Sequence, residues 1–163
     1  SVLCDHLIEE HASGRIIYFF SLFAIVFKNG RVEFTDYKPK LPNGTQRTVL
    51  TPSVLDQFNY TSPESPMNEI TALSNQYSLG AIILALSTER ARSLSTNLRI
   101  RSSWTNEAPL FISPTSFEEQ LAPVLTRMLK EQPAERYENV LEARQALASV
   151  FEAHLELTHQ KTS

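Results

Sequence analysis

"VFKNGRVEFTDYKP", residues 26–39, decides how the rest of the chain is read. Asn29-Gly30 lies between two runs of apolar, β-rich character, and Asn-Gly is the strongest short-range hairpin signal because both residues tolerate positive φ. A hairpin is therefore expected, with residues 16–36 extended on either side of the turn. Its second strand runs into Thr35-Asp36-Tyr37-Lys38. Asp36 has two readings there. It is a metal ligand delivered at the end of a hairpin, or a turn carboxylate bonding nearby backbone N–H groups.

Working outward toward the N-terminus, "IIYFFSLFAIVF", residues 16–27, is very apolar but too short to span a bilayer as a helix. It reads as buried extended chain. Residues 2–12 place Val2, Leu3, His6, Leu7 and His11 at helical spacing, with Gly14 as a stop. Cys4 falls within this periodic segment and reads as packing. It is the one cysteine, which excludes an internal disulfide and favours a reducing compartment. The chain begins without Met or a signal peptide and looks excised from something longer.

Toward the C-terminus, residues 37–60 hold Pro39, Pro42, Gly44 and Pro52 and read as a long loop. Residues 69–87, "EITALSNQYSLGAIILALS", read as a helix whose second half is apolar on nearly every face, the mark of a helix buried on all sides. Residues 90–114 are polar and irregular, with Arg90, Arg92, Arg99 and Arg101 clustered; a basic patch of this kind can bind phosphate or an acidic partner, but the segment reads first as a solvated loop. Ser116-Phe117-Glu118-Glu119 reads as a capping box with Ser116 at the cap and Glu119 three later. It opens a helix to about Lys130, with Leu121, Val124, Leu125, Met128 and Leu129 on one face. Gln132-Pro133 breaks it. A last helix is expected from near Glu138, with Val140, Ala143, Leu147, Val150, Phe151, His154 and Leu155 as its apolar stripe. His154 reads as a boundary or core residue of that stripe.

Composition narrows the function classes. The 163 residues are enough for a single domain with a sizeable core, and neither an internal repeat nor a domain boundary is visible. A net charge of −3 leaves a nucleic-acid role without electrostatic support and leans toward a basic partner. The four glycines, Gly14, Gly30, Gly44 and Gly80, are too dispersed for a phosphate-cradling loop. Asn43-Gly44-Thr45 and Asn59-Tyr60-Thr61 match the glycan-acceptor triplet, a pattern that arises often by chance.

The order of these segments resembles the C-terminal lobe of a protein kinase. "HASGRII" resembles the end of the helix that leads to the catalytic loop. "AIVFKNGRVEFTDYK" resembles the strand pair ending in Asp-Phe-Gly, and "YTSPES" the Ala-Pro-Glu that closes the activation segment. "LSNQYSLGAIILAL" resembles the buried central helix, and "VLTRMLKEQPAERY" the late helix followed by a characteristic Arg. No single motif is specific; five in this order are more so.

The resemblance implies architecture without chemistry. A kinase uses an Asp to position the substrate hydroxyl, and an Asn plus the Asp of Asp-Phe-Gly to hold magnesium. Counted back from the hairpin, the His-Arg-Asp positions fall on Ile17-Tyr18-Phe19, and the Asn position on Ala24. Neither Phe19 nor Ala24 can take a proton or bind a hard cation. Asp36 remains, with Tyr37-Lys38 in place of Phe-Gly. Nothing resembles a glycine-rich loop or a phosphate-reaching strand lysine, so the N-lobe is missing. The resemblance also implies that Glu64 pairs with Arg136, tying the activation segment to the helical base. Asn75 stands where the central helix usually carries an Asp that braces the catalytic loop; with no such loop to brace, an Asn is coherent with lost activity.

A lobe of this kind resembles the kinase non-catalytic C-lobe domain (KIND) family, although "SVLCDHLIEEH" departs from that family's usual N-terminal helix. The expected fold is mostly α: a helical bundle around a buried central helix with a small β-hairpin, residues 1–163 forming one domain. The resemblance implies a cytoplasmic, non-catalytic interaction module of cytoskeletal or scaffolding proteins, with no cofactor and no metal. Family members include one that grips the basic tail of a formin in actin assembly. A basic peptide is therefore the expected partner, met by Glu9, Glu10, Glu118 and Glu119. Two rivals stand beside it: a pseudokinase-type regulator of a true kinase, and a truncated fragment of a kinase-like enzyme. Phe19 and Ala24 weigh against the last, because restoring an N-lobe would not restore them.

Overall fold

The computed structural model describes residues 2–17, 25–28, 31–34, 60–64, 70–87 and 115–161, with the side-chain surroundings of 27, 28, 31–34 and 157–161 excepted. The expected Phe19, Ala24, Asp36, Arg90, Arg92, Arg99 and Arg101 positions, and Asn43 and Asn59 of the two triplets, lie outside these residues. Within them the chain is mostly helical. The order is α1 (Val2–Ala12), β1 (Ile25–Lys28), β2 (Arg31–Phe34), α2 (Ala72–Ser87), α3 (Ser116–Met128), a 3-10 turn (Pro133–Glu135) and α4 (Val140–Lys161).

The expected hairpin is present. β1 and β2 pair antiparallel, with Ile25 opposite Phe34 and Lys28 opposite Arg31. Just two residues of sequence, Asn29 and Gly30, separate the last pair.

α1 buries Cys4 and Leu7 and stops where Gly14 takes a φ of 72°, a conformation L side chains rarely adopt. Arg15 N–H then reaches back to the Glu10 carbonyl at 2.9 Å, and Gly14 N–H to that of His11 at 3.0 Å. These bonds satisfy carbonyls that the helix end leaves open. Cys4 is wholly buried, in keeping with a packing role.

α2 is the centre of the molecule and packs against each of the other three helices. Every residue from Ser74 to Ile82 is buried, as is Leu84. A helix apolar on nearly all sides has no face to give to water. Leu86, near its end, is exposed. Gly80 marks the tightest approach: a Cβ there would stand 2.9 Å from Met128 Cβ on α3.

α3 and α4 form the other wall of the core. Leu121, Val124, Leu125 and Met128 of α3, and Val140, Ala143, Leu147 and Val150 of α4, are buried with Leu129 in one cluster. Pro123 sits inside α3 on its exposed side. An interior proline removes one helix hydrogen bond and crowds the preceding turn. The buried face of α3 carries the helix through it.

Three expectations are corrected in this half. The α3 cap is Thr115, not Ser116. Thr115 is extended (φ −72°, ψ 164°), its hydroxyl accepts the Glu118 N–H, and the Glu118 carboxylate accepts the Thr115 N–H at 2.7 Å. Thr-x-x-Glu and Ser-x-x-Glu overlap by one residue here, so local pattern leaves the register open. The packing of Phe117 against α4 accompanies the earlier start, with its ring 5.4 Å from that of Phe151 and 4.7 Å from that of His154. α4 begins at Val140 rather than near Glu138, with Asn139 Oδ1 accepting the Glu142 N–H at 3.0 Å. Finally, its expected apolar stripe is buried only as far as Val150. Phe151 and Leu155 are exposed.

Among the described residues, no helix is long and apolar enough to cross a membrane.

Candidate functional site

Polar side chains entering a core must find partners, since an unbonded buried polar group costs about 1–3 kcal/mol. The first turns of α2 bring in three in succession: Ser74, Asn75 and Gln76, each at most 2% exposed. Each secures a different remote segment of the chain.

Ser74 belongs to an ion-pair cluster. Glu64 and Arg136, far apart in sequence, meet as a two-point fork: Nη1 to Oε1 at 2.8 Å and Nη2 to Oε2 at 2.9 Å. The Arg136 side chain is fully buried and that of Glu64 nearly so. Arg136 also donates Nε to the Lys130 carbonyl (2.8 Å), Nη1 to that of Leu73 (2.9 Å) and Nη2 to that of Glu131 (3.1 Å). A guanidinium has five N–H groups, and all five are used. Its flat face lies 5.1 Å from the centre of the Tyr77 ring. Ser74 Oγ donates to Glu64 Oε1 at 2.8 Å and accepts the Thr71 N–H at 3.0 Å.

Burial alone would raise the Glu64 carboxyl. The Arg136 fork, its own backbone N–H and the Ser74 hydroxyl outweigh burial and hold it at about 2. A carboxylate held that low by a permanent cation is no proton acceptor at neutral pH. It ties the segment before α2 to the connection between α3 and α4.

Gln76 clasps the same connection. It donates Nε2–H to the Tyr137 carbonyl at 3.1 Å and accepts the Tyr137 N–H at 3.0 Å. The Tyr137 ring in turn lies under the Arg127 guanidinium, 4.2 Å from it.

Asn75 holds the chain leaving α1. It donates to the Ile17 carbonyl at 2.6 Å, while its Oδ1 accepts the Ile17 N–H at 3.1 Å and lies 3.0 Å from His11 Nε2. With Oδ1 as the acceptor, His11 carries its proton on Nε2. Asn75 thus braces the Ile17 backbone, and an Asp could not donate the bond to the Ile17 carbonyl.

Sequence reasoning singled out Glu64, Arg136 and Asn75. It missed Ser74, Gln76 and His11. The signal was present: a Ser-Asn-Gln triplet at the head of an otherwise apolar buried helix.

The acidic residues expected to meet a partner divide in two. Glu10 is held by Arg15, with Nε 2.7 Å and Nη2 2.8 Å from its two oxygens. Glu118 is engaged in the α3 cap. Glu9 and Glu119 are exposed. Among the described residues, no three His, Cys, Asp or Glu side chains group as a metal site. What the described residues hold is thus a buried polar hub, with Glu9 and Glu119 exposed outside it. No protein-family model and no curated protein matches the chain.

Proposed function

We propose that the chain is a protein kinase-like C-lobe that has kept the architecture of the lobe and lost its chemistry. It serves as a non-catalytic, cytoplasmic interaction module of the KIND type and docks a basic, flexible peptide or tail of a cytoskeletal or signalling partner. The observation that supports this reading is the buried Glu64–Arg136 fork. Two residues matched to a kinase's closing Glu and late Arg in separate motifs meet with every guanidinium proton engaged. Asn75 adds to it, since the aligned catalytic-loop position Ile17 is the backbone it clasps. The apolar residues at positions 19 and 24 favour a binding role over a catalytic one.

The partner's charge follows from the surface. The chain is net acidic, and Glu9 and Glu119 are exposed. Complementary charge speeds encounter and is screened by salt. The test is titration of a labelled Arg- and Lys-rich peptide at low and physiological salt. Binding is expected to be slower and weaker at higher salt, and weaker again in the Glu9→Lys/Glu119→Lys variant. Glu118 is left intact because its reversal would break the α3 cap. A partner indifferent both to salt and to these reversals would overturn the electrostatic reading.

A further inference from the structure

The outer half of α4 carries two large apolar side chains facing water: Phe151 is 42% exposed and Leu155 56%. Four residues apart, they lie one turn above the other on a single face. The Phe117 ring, 5.4 Å from Phe151 and itself half-buried, extends this strip onto the first turn of α3. The borders of the strip are acidic. Glu152 and Glu156 form the adjacent exposed row of α4. Over residues 116–126 and 145–156 the two helices carry Glu118, Glu119, Glu152 and Glu156, and neither Lys nor Arg.

Apolar surface with a rim of one sign selects its occupant by both properties. An anionic membrane surface would be repelled by these carboxylates. A purely cationic chain would leave the apolar strip in water. We infer that this strip takes a basic amphipathic helix. Its apolar residues, three and four apart, cover Phe151 and Leu155, and its Lys and Arg side chains reach Glu152 and Glu156. The inference rests on the basic-partner reading above and places the partner's anchor on α3 and α4.

The test compares two synthetic probes of about 16 residues, long enough for four helical turns. One is a Lys/Leu amphipathic peptide, the other a Lys/Ser peptide of the same charge. Each is titrated into the chain, into Leu155→Ser and Phe151→Ser variants and into a Glu152→Lys/Glu156→Lys variant. The amphipathic probe is expected to bind more tightly. Leu155→Ser should weaken it about fivefold or more and leave the Lys/Ser probe unchanged, with an unaltered melting temperature. The charge reversal should weaken both probes. Equal affinity for the two probes overturns the apolar anchor while leaving a basic partner standing. Tight amphipathic binding unmoved by Leu155→Ser and Phe151→Ser overturns the location. No binding of either probe overturns the basic-partner reading itself, and this inference with it.

Discussion

Arg136 has the most connections of any side chain at the hub of the fold. Its removal would leave Glu64 and three backbone carbonyls, those of Leu73, Lys130 and Glu131, without their donor. Breaking a buried pair on one side costs roughly 3–5 kcal/mol, so Arg136→Ala should melt well below the parent. A melting temperature within a degree or two would show that the pair adds nothing. Arg136→Lys should recover little, since an ammonium has three donors and no fork. Acid tests the same contact from the other partner. The Glu64 carboxyl is held at about 2 in the folded protein, below its ordinary value of 4.5. Its stabilising contribution is therefore fully present above 4.5 and fades as pH falls toward 2. Across that window the parent should lose its stability advantage over Glu64→Gln. A constant difference down to pH 2 would exclude the linkage.

At the scale of elements, α2 and α3 are in contact through Gly80. The atom a new Cβ would meet is Met128 Cβ, at 2.9 Å, which no rotamer change can move aside. Gly80→Ala gains helix propensity of about 1 kcal/mol, yet forcing the helices apart typically costs about 1–3 kcal/mol. Net destabilisation is expected in thermal melts; a raised melting temperature would refute the close contact. The α3 cap gives a second comparison. Thr115→Ala should cost about 1 kcal/mol, while Ser116→Ala, one residue into the helix, should be near neutral. The reverse order would restore Ser116 as the cap.

For the whole molecule, the proposed loss of catalysis is directly measurable. Positions 19 and 24 are Phe and Ala, and neither offers an oxygen to a hard cation. Magnesium-ATP at millimolar concentration is expected to leave the melting temperature unchanged, and calorimetric titration to show no saturable heat. Saturable, magnesium-dependent binding would instead favour a kinase-like enzyme fragment. A mechanical hub suits a binding module. α2 draws the chain after α1, the segment before α2 and the α3–α4 connection onto one helical turn, so the outer helices are presented on a rigid frame.

Sequence alone determined the elements whose signals are local. Asn29-Gly30 predicted the hairpin, because a two-residue Asn-Gly loop favours pairing of the strands on either side. Gly14 predicted the end of α1, since positive φ suits glycine. The apolar second half of residues 69–87 predicted a buried helix, and α2 is buried from Ser74 to Ile82 and at Leu84. Motif order paired Glu64 with Arg136, and the two meet in the fold. Tertiary structure decided what local pattern leaves open. Overlapping Thr-x-x-Glu and Ser-x-x-Glu boxes are equivalent until Phe117 packs on α4. The stripe of α4 has one periodicity throughout, but its burial stops at Val150, and Phe151 and Leu155 are exposed. The partners of Ser74, Asn75 and Gln76 are backbone and side-chain groups some ten to sixty residues away. Such bonds have no signature in spacing, because a backbone N–H or carbonyl is the same at every residue and only the fold chooses which one arrives.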